Sequence, residues 1–307
     1  MILITLLQMD NFDFDKLLLT EDTFVDWIKE NGGVLHTRKC SNINKMELSR
    51  CKKNTLVCLT GYTQVVNQFF AHTIKNFTNK IILITLETDF FEMKDKYLNH
   101  PLLTHWFTWN KQYEHPRLTC IPIGLNADRH LEAMKTYITE RNSMEREELF
   151  AVNLSVSTNA ERQALVDLAQ TDWADFCTFI DNIPFSSIHM QFSYVERQIN
   201  ISVTDPECYR QMSQFKFILS PPGAGLDCHR TWEALYLGTI PIVLSSSIDE
   251  LFADLPVVIV SSWDVITPEF LEEKYNEVQR NWENKKYDVN KLYFEYWKKM
   301  IERQISK

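Results

Sequence analysis

A chain of 307 residues, 45% hydrophobic and 24% charged, has an ordinary globular composition, and two lobes accommodate its length better than one core. The formal net charge of −9 argues against a nucleic-acid partner, which calls for a strong basic surface, and leaves small molecules and neutral glycans open. The apolar runs are strand-sized, far short of the roughly 18 residues of a membrane span, and Met1–Met9 lacks a basic leading segment, so the expectation is a cytoplasmic protein with neither transmembrane segment nor secretory signal.

In chain order, an apolar stretch at Met1–Leu7 is followed by a helical pattern over 20–31. A strand over 56–59, a helix over 65–76 and a strand over 81–86 come next, then strands at 105–108 and 118–123. Strands alternating with helices predict a parallel, doubly wound sheet. A charged helix over 131–149 leads into a strand over 149–154, and the first lobe is expected to end at 145. In the second lobe (146–268), Ser155–Asn159 suits the N-cap of a helix over 160–169, whose free N–H groups are a place for an anion. A short helix at 206–212, a strand at 215–219, a helix at 229–237 and strands at 240–244 and 257–260 follow. The segment 269–307 reads as helical, rich in Tyr, Trp and Lys, with a break near 285–289.

Glycine is scarce, 7 residues against the about 21 of average usage, and Gly61, Gly124, Gly223, Gly225 and Gly238 each fall beside a predicted strand or its following loop. The seven cysteines form no C-x-x-C pair and stand beside no His ligand pattern, so reduced thiols are expected. The strand 215–219, the loop Ser220-Pro221-Pro222-Gly223-Ala224-Gly225 and the helix opening at His229-Arg230 have the makings of an anion cradle. Loop amides and the helix dipole would meet a phosphate, Arg230 would add a bidentate fork, and Glu233, one turn on, would accept from ribose hydroxyls. The same spacing also fits a plain tight turn followed by an Arg230–Glu233 ion pair. Neither the GxGxxG nor the GxxxxGK[ST] pattern is present.

The run from Phe215 through Ser220-Pro221-Pro222-Gly223, Arg230 and Glu233-Ala234-Leu235 to Gly238-Thr239-Ile240-Pro241-Ile242-Val243 resembles the signature of exostosin-like glycosyltransferases. Asn153-Leu154-Ser155, Thr158 and Arg162, with His100-Pro101, Trp106-Phe107, Asn110 and Ile121–Gly124, resemble further parts of the small enzymes of that family found in large DNA viruses of algae. The resemblance implies a GT-B fold: two Rossmann-like α/β lobes with parallel sheets facing a cleft, and a C-terminal helix bracing the first lobe through Tyr293, Phe294 and Trp297. It implies that Arg230 contacts a diphosphate and Glu233 a ribose. Asn153, Ser155, Thr158, Arg162, Pro222, Gly223, Ala224, Gly225, Asp227, His229, Ser245 and Ser246 complete the expected donor set. Asp249–Phe252 would be a loop flanking the donor base. Asp227-Cys228-His229 departs from the animal members, so donor choice does not carry over.

The implied reaction is inverting transfer of a sugar from a nucleotide donor, a UDP-sugar and UDP-xylose first, to a glycan hydroxyl, with a base in the first lobe. Glu87 and Asp89, ending the strand 81–86, are the expected catalytic carboxylates, with His72, His105 and Asp128 as alternatives. Trp106, Trp109 and Asn110 are candidates for the acceptor side, although a core role suits Trp106 equally; Trp232 and Tyr236 read as core. No D-x-D motif or His/carboxylate cluster is present, so no tightly bound cofactor and no essential divalent metal are expected. A non-catalytic glycan- or nucleotide-sugar-binding protein of the same fold is the competing reading.

Overall fold

The computed structural model describes residues 18–37, 43–61, 63–89, 93–126, 131–140, 146–180 and 206–307. The expectations for Met1–Leu7 and for Asp128 lie outside these residues. Two five-stranded sheets, parallel throughout, form the frame. The first runs β1 (Val34–His36), β2 (Thr55–Thr60), β3 (Ile81–Leu86), β4 (Leu103–Thr108), β5 (Leu118–Cys120) in that spatial order. The second contains β6 (Glu148–Val152), β7 (Cys177–Phe179), β8 (Phe215–Leu219), β9 (Ile240–Leu244) and β10 (Val258–Val260), ordered β10-β9-β8-β6-β7. β3 reads Ile-Ile-Leu-Ile-Thr-Leu and is buried along its whole length, as a central parallel strand covered on both faces must be.

The helices that matter here are α1 (Glu21–Glu30), α6 (Glu161–Gln170), α7 (Pro206–Met212), α8 (His229–Leu237), α10 (Pro268–Glu283) and α11 (Phe294–Ile305). One apolar cluster runs through both lobes, joining Ile82, Ile84, Leu86 and Trp109 of the first to Trp232, Tyr236 and Phe252 of the second. Separate clusters cover the other face of each sheet. α11 returns to the first lobe. Phe294 meets Phe24 edge-on at 5.0 Å, and the Asn54 side-chain amide donates to the carbonyls of Gln304 and Ile305. Tyr293, Phe294 and Trp297 are all buried. Two parallel α/β sheets with a C-terminal helix returning to the first lobe are the architecture anticipated above.

Some elements depart from expectation. β5 ends at Cys120 rather than 123 because Ile121–Gly124 turns toward the second lobe. The first-lobe helix stops at Glu140 and β6 begins at Glu148. Asp249–Phe252 is a helical turn, not a loop. The edge strands β1 and β7, three residues each, were not anticipated; they are too short to carry an alternating pattern. Among the described residues no helix is long and apolar enough to cross a membrane.

Candidate functional site

The carboxyl ends of the two sheets meet, and the loop after β8 is the centre of that meeting. Beneath it lies Arg162, 4% exposed, on the first turn of α6. Its guanidinium donates to Pro222 O (2.9 Å), Pro221 O (2.8 Å), Ser155 O (3.2 Å), Thr158 Oγ1 (2.9 Å) and Cys228 Sγ (3.6 Å). A guanidinium has five N–H groups, and all five are engaged. Burial, then the nearby charge of Arg230, holds its pKa below the usual range. Arg162 therefore fixes the proline-glycine loop from beneath, a role that the sequence did not suggest. Ser155 and Thr158 serve the same clamp. The anion expected on α6 is displaced too: Asn159 Oδ1 accepts from Glu161 N at 2.9 Å, and Asn159 Nδ2 donates to Gly223 O at 3.3 Å.

Protein packing already crowds the loop glycines. A Cβ on Gly223 would stand 3.1 Å from Arg162 Nη2, and one on Gly225 would stand 2.4 Å from Asn110 Nδ2. The Gly223 amide donates to Gly225 O and the Asp227 amide to Asn110 Oδ1, at 2.9 and 2.8 Å. Asp227, 3% exposed, accepts from the Ile123 amide and from the Trp232 indole. Burial pushes its carboxyl up to about 7 against the opposing pull of those donors and the Cys228 amide. His229 Nδ1 lies 2.7 Å from Gly124 O; a carbonyl only accepts, so Nδ1 carries the proton. Gly124 itself has φ +66°, and a Cβ there would overlap Leu19 O. Asn110, Asp227 and His229 thus lock the lobes together, a structural role that the sequence did not suggest.

Lys111 adds to this seam, fully buried between Glu114 (2.6 Å) and Glu250 of the second lobe (2.5 Å). Sequence reading had no signal for it, since nothing local distinguishes an interlobe lysine from a surface one. Ser245 Oγ donates to Asp249 Oδ2 and the Ser246 amide to Asp249 Oδ1, so this pair caps the turn after β9.

Arg230 stands apart. It is half-buried in the first turn of α8, whose N-cap, Cys228, supplies no side-chain cap, and its hydrogen bond among the described residues is to Asn153 Oδ1 at 3.2 Å. Asn153 is set in turn by Cys208 Sγ, a partner not foreseen. One turn on, Glu233 is 9% exposed and accepts from Tyr209 Oη at 3.2 Å. The uncapped helix start, Arg230 and nearby Arg162 together make this wall of the cleft electropositive.

In the first lobe, Glu87 follows β3 with φ 52° and is half-buried, while Asp89 is exposed. Trp106 is fully buried in the first-lobe core, its indole N–H on Thr85 Oγ1, so it is no acceptor platform. Trp109 is buried at 4% exposure, its face packed in the interlobe cluster rather than open for stacking. His105, bonded to Thr119 Oγ1, is held near 4 by burial and the charge of Lys307, which puts it beside the C-terminal tail, not the cleft. His72 is exposed on the turn Phe69–Thr73. Among the described residues no group of three or more His, Cys, Asp or Glu could hold a metal ion.

No protein-family model and no curated protein matches this sequence. Among solved structures, the pneumococcal O-GlcNAc transferase GtfA, in complex with UDP and GlcNAc, is similar to it at 11% identity with a TM-score of 0.37. The match covers 86% of this chain and 60% of that one, so this chain spans less than two thirds of that protein's length.

Proposed function

We propose that the protein is a glycosyltransferase that takes a sugar from a nucleotide donor, a UDP-sugar, and passes it with inversion to a glycan hydroxyl. The observation that carries this reading is Arg230: a half-buried cation at an uncapped helix start, on a loop fixed from beneath by a second guanidinium. Such a wall suits a leaving diphosphate, whose charge develops as the bond to the sugar breaks. Glu233, with Tyr209 behind it, suits ribose hydroxyls. Glu87 is the base of the proposal: it takes the proton of the acceptor hydroxyl, the oxygen attacks the anomeric carbon, and the bond to the diphosphate breaks with its electron pair staying on the phosphate.

The test begins with thermal shifts in UDP, GDP, ADP, CMP and NAD, where UDP should stabilise most and stabilisation by NAD alone would sink the reading. Arg230→Ala should weaken UDP binding by about 1.5–3 kcal/mol, the cost of a charge-assisted phosphate contact. UDP release from a panel of UDP-sugars, UDP-xylose first, then reports turnover, and Glu87→Gln should abolish it while UDP binding persists. The engagement of Arg162, Asp227 and His229 in protein contacts favours a second reading, a binding protein without turnover. Tight UDP binding with no release from any donor, with any sugar acceptor, would select it.

A further inference from the structure

Strained backbone and unpartnered buried polar groups occur together in the two tied segments that follow β3 and β4. Glu87, just past β3, and Asn110, just past β4, both adopt the left-handed region, with φ 52° and 50°; non-glycine residues held there mark sites that the surroundings over-determine. Adjacent in sequence are the Thr88 hydroxyl and the Trp109 indole N–H, in residues 2% and 4% exposed, and neither atom has a hydrogen-bond partner among the described residues. The two segments are tied side by side: the Trp109 amide donates to Thr85 O at 3.3 Å and Asn110 Nδ2 to Thr88 O at 3.1 Å. The same Asn110 side chain accepts from the Asp227 amide of the second lobe, so the corner sits where the lobes meet. A buried donor left unmet is costly, and native structures keep one where a water or a ligand completes it.

We propose that Thr88 Oγ1 and Trp109 Nε1 form the subsite for a hydroxyl of a neutral sugar acceptor, next to Glu87; this deepens the transferase reading and rests on it. The chemistry selects the ligand. An indole N–H only donates and a threonine hydroxyl does both, so a sugar hydroxyl accepts from Trp109 and returns its own hydrogen to Thr88. A hydrocarbon leaves both groups unmet, and an anion meets the adjacent Glu87 carboxylate. A neighbouring hydroxyl of the same sugar is then presented to Glu87 for deprotonation. Trp109 thus recognises the acceptor through its edge, in place of the stacking expected from the sequence.

The indole N–H resonance of Trp109, assigned by its loss in Trp109→Phe, is followed in the UDP-saturated protein as methyl glycosides of pentoses and hexoses are added. At least one sugar should shift it. Trp109→Phe and the isosteric Thr88→Val should each raise the KM for that sugar about three- to ten-fold, the loss of one net hydrogen bond, with UDP affinity unchanged. If UDP binds but no sugar moves the resonance, the proposal is overturned while the donor reading stands. It is equally overturned if both variants leave KM alone and raise Tm, the behaviour of polar atoms that merely cost stability. Sugar shifts without binding of any nucleotide would uphold the subsite and remove the transferase reading instead.

Discussion

Around the proline-glycine loop of the second lobe, the Arg162 guanidinium, the amides of Gly223 and Asp227 and the Asp227 carboxylate all have protein partners, whereas at the ends of β3 and β4 Thr88 Oγ1 and Trp109 Nε1 have none among the described residues. The first corner is a finished piece of scaffold that precedes Arg230 at the start of α8. The second keeps two buried polar atoms unmatched. Under the proposed transferase reading, a site divided this way would keep the group facing the leaving phosphate fixed in advance, where electrostatic stabilisation depends on fixed dipoles, and would leave recognition to the acceptor side.

Arg162 offers the largest break in that contrast. Arg162→Ala strips donors from the carbonyls of Pro221, Pro222 and Ser155 at once, and should lower stability by roughly 3–5 kcal/mol in urea denaturation, the sum of several bonds to a charged group. Arg162→Lys keeps the charge but not the planar fork and should recover little. Arg230→Ala should do the reverse, losing nucleotide affinity with stability changed by less than about 1 kcal/mol. Two arginines with interchangeable effects would end the distinction between clamp and ligand.

Next in size is the seam itself. Gly225→Ala should destabilise by about 2 kcal/mol through the overlap with Asn110, within the usual range for overpacking. In an Asn110→Gly background the same change has room, and its cost should fall below about 1 kcal/mol; additive losses would mean that the two residues are not coupled.

The frame was largely legible in the sequence, because buried parallel strands such as Ile81–Leu86 and Phe215–Leu219 are continuous apolar runs and the helix starting at His229 follows a glycine loop. The roles within the loop were not. A glycine that admits a phosphate and one that admits an asparagine side chain from another lobe are the same letter, and Gly225 is the second kind. The clamp role of Arg162 was hidden because an arginine on a helix start is chemically ambiguous until its five donors are traced. The orphaned Thr88 and Trp109 atoms are invisible in principle to a linear reading, since lacking a partner is a property of the packed neighbourhood.

Asp227 gives the finest test of the lock. Its carboxyl titrates near 7 in the fold and an unfolded aspartate at about 3.9. Between those values the folded chain holds a proton that the unfolded chain has released. The group's contribution is therefore fully present below about pH 4 and fades as pH rises toward 7. The slope is at most about 1.4 kcal/mol per pH unit, so at any single step it is smaller than the losses above. His105, lowered to about 4, works in the opposite sense: its contribution is present above its unfolded value and is lost as pH falls. Native stability alone would mix the two, and the difference between the native protein and Asp227→Asn cancels the histidine. That difference should shrink steadily from pH 4 to 7 in chemical denaturation. Parallel curves would show that Asp227 stays ionised beneath the seam, with the Ile123 amide and the Trp232 indole outweighing its burial.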